Sequence, residues 1–207
     1  TLKEFIGQSN AVGEKSFLFR ALSEEKVPSI IFWGPPGSGK TTLASIIAGQ
    51  IKADFVSLSA VSSGIKEVKE VIERAAARRK SGHKTLLFID EIHRFNKSQQ
   101  DAFLPYVEDG TIVLIGATTE NPSFEVNSAL LSRAKVIKLE PLTGEDIEKI
   151  VKNALSDRER GLGNSGLKIT EDALALHGVV CNGDARVALN IVEMAETLKS
   201  GDNKEIT

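Results

Sequence analysis

Residues 29–44 read SIIFWGPPGSGKTTLA, and this stretch limits the fold more tightly than any other in the chain. Five residues rich in β-branched and aromatic side chains run into a glycine-rich turn, and an apolar helix pattern follows Lys40, Thr41 and Thr42. A strand that turns this sharply into a helix must cross back to a parallel neighbour, the right-handed βαβ unit of an α/β fold. Gly34, Pro35, Pro36, Gly37, Ser38, Gly39, Lys40 and Thr41 fit the pattern G-x-x-x-x-G-K-[ST]. Glycines there let backbone N–H groups turn inward around phosphate oxygens, and the following helix adds the positive end of its dipole. The pattern points to ATP as ligand, with Lys40 on the β- and γ-phosphates and the Thr41 hydroxyl on Mg²⁺.

The rest of the chain supplies the sheet that such a turn needs. Candidate strands are 29–33, 55–59, 84–89, 111–117 and 135–139, most of them nearly continuous apolar runs. Such runs suit parallel strands covered on both faces. Helix-period segments lie between them, one over 65–80 with Val68, Val71, Ile72 and Ala75 on one stripe, another over about 98–108. The expected fold is a five-stranded parallel sheet flanked by helices over 1–140, followed by a helical lid domain over 141–207. In that second part Thr143 is a candidate N-cap. Ile147, Ile150, Val151, Ala154 and Leu155 keep helical spacing after it, and further helices are expected over 170–178 and 183–199. No strand of comparable strength appears there.

LLFIDEIH (86–93) offers the partner to the phosphate loop. Four apolar residues end in Asp90 and Glu91 at the carboxyl edge of a strand, where open α/β sheets bind ligands. Asp90 is placed to hold the Mg²⁺ shell and Glu91 to polarise an attacking water. An acidic pair at a strand end can also be structural alone. A carboxylate base beside the metal ligand favours transfer to water over transfer to an acceptor substrate.

Composition narrows the partners. Net charge is −2, so any nucleic-acid contact must be a local patch. The single cysteine, Cys181, cannot form an internal disulfide. With no secretory or membrane-spanning segment in view, an intracellular setting and no membrane partner are expected. A chain running from Thr1 to NKEIT is expected to be a piece of something longer.

GPPGSGKTT, FIDEIHRF, LIGATTENPSF, ALLSR and GDARVALN, in that order, resemble the AAA+ ATPases of the clamp-loader type. The block from Asp90 to Arg133 is very similar to the replication-associated recombination protein A family, which includes the Werner helicase-interacting protein. The resemblance runs from FIGQ (5–8) to the GDAR helix. It implies a P-loop NTPase core with a lid, and it adds roles. Thr119 matches the sensor-1 position, with Thr118 as the fallback if the alignment slips by one. Arg133 matches the arginine finger that acts in trans on a neighbouring subunit, and Arg186 matches sensor 2. Read without the family, both threonines are strand-end caps, Arg133 a helix C-terminal cation and Arg186 a solvated first-turn residue. FIGQ resembles the segment lining the adenine pocket, through Ile6 and Gly7; it also reads as an anchor packing Phe5 and Ile6.

By resemblance the chain is a homo-oligomeric ATPase working with DNA (forked, gapped or recombination intermediates) and with replication and repair proteins. A branch-migration motor of the Holliday-junction type shares LIGATT, and a clamp-loader subunit is a further relative. A recruitment module switched by bound nucleotide is the alternative of a different class. HRFNKSQQ (93–100), with His93, Arg94, Phe95 and Lys97, reads equally as a phosphate-backbone contact or as a solvated helix start anchored by Phe95. Arg74, Arg78, Arg79, Lys80 and Lys84 read as a DNA-facing surface or as the cation-rich end of a helix. The histidines at 83, 93 and 177 lack metal-ligand spacing.

Overall fold

The computed structural model describes residues 1–198 and 205–207. Two short helices, α1 (Ser9–Val12) and α2 (Phe17–Ser23), precede β1 (Ser29–Trp33) and α3 (Lys40–Gln50). Then come β2 (Ala53–Ser59), α4 (Ile65–Arg79), β3 (Lys84–Asp90), α5 (Lys97–Asp101), α6 (Leu104–Glu108) and β4 (Val113–Thr118). The helices α7 (Pro122–Glu125) and α8 (Ser128–Leu131) lead into β5 (Ala134–Lys138). The remainder holds α9 (Gly144–Ser156), β6 (Lys168–Ile169), α10 (Glu171–Val180), α11 (Ala185–Leu198) and β7 (Glu205–Ile206).

The five long strands form one parallel sheet in the order β2-β3-β4-β1-β5. Every connection is a crossover, so the carboxyl ends of all five strands lie along one edge. Two expectations need correction. The helix expected over 98–108 is two, because Pro105 has no N–H for the ladder; it sits in the first turn of α6, where none is needed. The strand expected from 111 starts at Val113, because the Thr111 N–H is taken by the Asp109 carboxylate at 2.7 Å. The last residue of the helix expected over 183–199 lies outside the described residues.

The chain divides into two compact units. One comprises Thr1–Lys3, Ser9–Gly34 and Lys40–Leu139. Its core packs Ile31, Leu87, Ile89 and Leu114 from the sheet with Val68, Val71, Ile72 and Ala75, the α4 stripe. Phe95 and Phe103 join it, their rings 6.0 Å apart. Each such side chain withdrawn from water stabilises the fold by about 1.5–3 kcal/mol.

The other unit comprises Glu4–Gln8, Pro35–Gly39 and Glu140–Thr207. Ile147 and Val151 of α9 pack with Leu174 of α10 and with Ala188 and Val192 of α11. Thr143 caps α9: its hydroxyl accepts from the Asp146 N–H at 3.1 Å and the Asp146 carboxylate accepts from the Thr143 N–H at 3.2 Å. A two-residue parallel pair, β6 with β7, joins the helices. It is far too short to register as a strand pattern. Among the described residues, no helix is long and apolar enough to cross a membrane.

Candidate active site

The parallel register brings the candidate residues together. Ile89 pairs with Gly116, and Trp33 with Thr118. β3 ends one residue after the first pairing, and Glu91, next in the chain, reaches Thr118 through the His93 ring. The Gly34 N–H donates to the Thr118 carbonyl at 3.2 Å, which ties the start of the phosphate loop to the end of β4. The ends of β3, β4 and β1 are therefore neighbours, spaced by about 4.8 Å per strand.

The loop itself is held open by backbone conformation. Gly37 and Gly39 have φ of +67° and +94°, values that a side chain disfavours. A Cβ on Gly39 would stand 2.7 Å from the Phe5 ring, and one on Gly37 would collide with the Asp184 carboxylate. Ser38 is buried and donates its hydroxyl to the Pro35 carbonyl at 2.8 Å, closing the turn. Lys40 is buried too, and its ammonium donates to the Gly34 carbonyl at 2.8 Å. Thr41 and Thr42, in the first turn of α3, are exposed.

Asp90, the last residue of β3, is half-buried, and Glu91 after it takes the left-handed conformation, φ 52° and ψ 47°. Glu91 Oε2 lies 3.2 Å from His93 Nδ1, and that nitrogen lies 2.9 Å from Thr118 Oγ1. Thr118 is fully buried and its oxygen also accepts from the Glu120 N–H at 3.0 Å. Thr119, the expected sensor, follows the strand and is only half-buried. The sequence suggests a phosphate-backbone contact for His93, whereas the structure makes it a partner of Glu91. The spacing of Glu91 and His93, two residues apart, carried the signal, but the third member comes from a strand 25 residues away.

The other candidates are more scattered. Arg133 follows α8, pairs through Nε with the Glu108 carboxylate and donates through Nη1 to the Ala129 carbonyl at 2.8 Å. Arg186 is exposed in the first turn of α11; its N–H donates to the Asp184 carboxylate at 2.8 Å. Ile6 and Gly7 are half-buried, with Gly7 against Leu142 and Asp146. The neighbouring Gln8 donates to the Glu140 carbonyl at 2.7 Å.

Of the two basic segments, 93–100 is mostly structural. Phe95 is in the core, Gln100 is buried, and His93 is turned to Thr118, leaving Arg94 and Lys97 exposed. In the other, Arg78 pairs with Asp54 at 2.9 Å, and Arg79 bonds Thr111 at 3.2 Å and faces Asp109 at 3.6 Å.

The donor set fits magnesium held partly by substrate. Among the described residues, no group of three or more His, Cys, Asp or Glu side chains could make a protein-only metal site. Mg²⁺ is commonly held by one or two side chains plus phosphate oxygens, and Thr41 with Asp90 matches that mode.

Residues 30–142 match the model of the ATPase family associated with various cellular activities (AAA). The chain belongs to the AAA family. Within it, the chain is 53% identical over 205 residues to replication-associated recombination protein A of Haemophilus influenzae, covering 97% of this chain and 46% of that protein. It is 49% identical to the ATPase WRNIP1 of Dictyostelium discoideum, covering 94% of this chain and 22% of that one. A solved structure of the Thermotoga maritima RuvB Holliday junction branch migration motor superposes with a TM-score of 0.74 at 30% identity, covering 96% of this chain and 64% of that one. This AAA chain thus spans about half the length of the first relative.

Proposed function

We propose that the chain is the ATP-hydrolysing core of an oligomeric, DNA-responsive AAA protein acting in replication-fork maintenance, recombination and repair. The observation that carries the reading is the meeting of Gly34, Glu91 and Thr118 at the ends of three adjacent strands. The first relatives' names support the setting, and identity to them exceeds identity to RuvB.

In this reading the backbone N–H groups of Gly37, Ser38, Gly39 and Lys40, with the Lys40 ammonium, bind the triphosphate. Thr41 and Asp90 hold Mg²⁺, which neutralises charge developing on the phosphates. Glu91 takes a proton from water aimed at the terminal phosphorus, and Thr119 orients that region. Ile6 and Gly7 border the adenine. Arg133 serves the site of a second subunit, which requires it to leave Glu108, and Arg186 reports the bound nucleotide from the lid.

The test is ATP turnover with Mg²⁺, with and without forked DNA at low salt. Glu91→Gln should bind ATP normally yet lose about 10²–10⁴-fold in turnover. Normal turnover in it removes Glu91 as the base. Arg133→Ala mixed with Lys40→Ala should regain activity that neither has alone, and no recovery argues against a shared site. Turnover unmoved by DNA favours the nucleotide-switched recruitment module.

A further inference from the structure

Glu91, read above as the base, has an unusual setting. It occupies the left-handed region without being glycine, and its carboxylate returns to the turn that follows it. That turn, Ile92–Arg94, is fixed at both ends. Ile92 is fully buried against Gly116 of β4, and Phe95 is in the core. The His93 ring between them is 10% exposed. Its Nδ1 faces two oxygens, Thr118 Oγ1 and Glu91 Oε2.

Proton accounting decides which way these bonds run. The Glu91 carboxylate can only accept. Thr118 has one hydroxyl proton, and the Glu120 carbonyl stands 3.4 Å away to take it. The Glu120 N–H already donates to the same hydroxyl oxygen. A bare Nδ1 would set a lone pair against a carboxylate oxygen. With the proton on Nδ1, the ring donates to both oxygens that face it.

We infer that His93 is a positioning residue. Its Nδ1–H fastens the Glu91 carboxylate to Thr118, so the base is held in register with the strand that carries Thr119. The cross-link joins the ends of β3 and β4, the two elements that must agree on where a water molecule attacks from. Arg94 and Lys97, exposed on the same segment, give a polyanion a place to act on that cross-link. The inference rests on Glu91 being the base.

The experiment compares four variants of this chain with ATP and Mg²⁺: His93→Asn, His93→Phe, Thr118→Val and Glu91→Gln. Asparagine offers an N–H close to the Nδ1 position; phenylalanine keeps ring volume without a donor. His93→Phe should lower kcat on the order of 10²-fold, the scale of a displaced catalytic group, with KM for ATP unchanged. His93→Asn should recover most of that loss. Thr118→Val should lower kcat in the same direction and combine with His93→Phe less than additively. Parental kcat in His93→Phe, or equal losses in the Asn and Phe variants, overturns the inference. A faster His93→Phe also overturns it, showing that the ring restrains Glu91. Should Glu91→Gln keep full turnover, the base assignment fails first; should it alone be inactive, only the role of His93 fails. Thermal melting of each variant separates a lost fold from a misplaced carboxylate.

Discussion

Removing the amide of Gln100 tests how the strand-end segments are tied down. Gln100 lies in α5, almost wholly buried, on a segment that otherwise faces water. Its Nε2 donates to the Phe95 carbonyl at 2.9 Å and the Glu125 carbonyl at 3.2 Å. Its Oε1 accepts from the Asn127 N–H at 2.7 Å. One side chain thus clamps the turn after Glu91 to the segment between Thr119 and Arg133. A net hydrogen bond contributes about 0.5–1.5 kcal/mol, so three contribute about 3 kcal/mol. Water can reach the exposed Glu125 after the change, which trims the expected loss to about 2–3 kcal/mol. Against a typical total of about 5–15 kcal/mol, that is a large share. Gln100→Met keeps the volume and isolates the hydrogen bonds. Trp33, the sole tryptophan, ends β1 in the same unit and reports its unfolding in urea. The melting temperature should fall by about 4–12 °C, at roughly 2–4 °C per kcal/mol for a chain of this size. Gln100→Glu should be worse, since it turns an acceptor toward two carbonyls. A Met variant within 0.5 kcal/mol of the parent, roughly the scatter among surface substitutions, would refute the clamp.

Gly116→Val should cost about 1–3 kcal/mol by overpacking, because even a Cβ there meets Ile31 at 2.8 Å and Ile92 at 2.9 Å; urea unfolding measures it, and an unchanged midpoint contradicts the contact. The same variant should slow ATP turnover more than it weakens ATP binding, since the strain enters at the end of β4. Burial first, and then the Asp184 carboxylate, raise the Cys181 thiol above its ordinary value. The folded thiol therefore stays protonated to higher pH than the unfolded one, and this preference costs stability as pH climbs above the ordinary thiol range. Iodoacetamide at pH 8 should label the folded chain slowly and the urea-unfolded chain fast; equal rates would sink the assignment.

The legible parts of this protein are those with local causes. The run into Gly34, the α4 stripe and the Thr143 cap each depend on neighbours a few residues away, and each appears where its pattern lies. The split at Pro105 also has a local cause, the proline's missing N–H. Gln100 and His93 had no such cause. By composition both belong on a wet helix start. Gln100 is drawn in by backbone groups of Glu125 and Asn127 and His93 by the Thr118 hydroxyl, partners that only the tertiary fold brings within reach. Arg133 combines the two cases: its bond to the Ala129 carbonyl is the cation at a helix end that sequence suggests, while its pair with Glu108 is tertiary.

The strand order explains why the site needs such bonds. With β4 between β3 and β1, the ends of those two strands stand two strand spacings apart, about 10 Å. The end of β4 touches both sides, through the Thr118 carbonyl to Gly34 and the Thr118 hydroxyl to His93. At Gly116 of β4, Ile31 and Ile92 leave no room for a side chain. A shift at the end of β4 must therefore reach the cradle and the carboxylate together. A residue whose backbone faces one and whose side chain faces the other is a sufficient link between them.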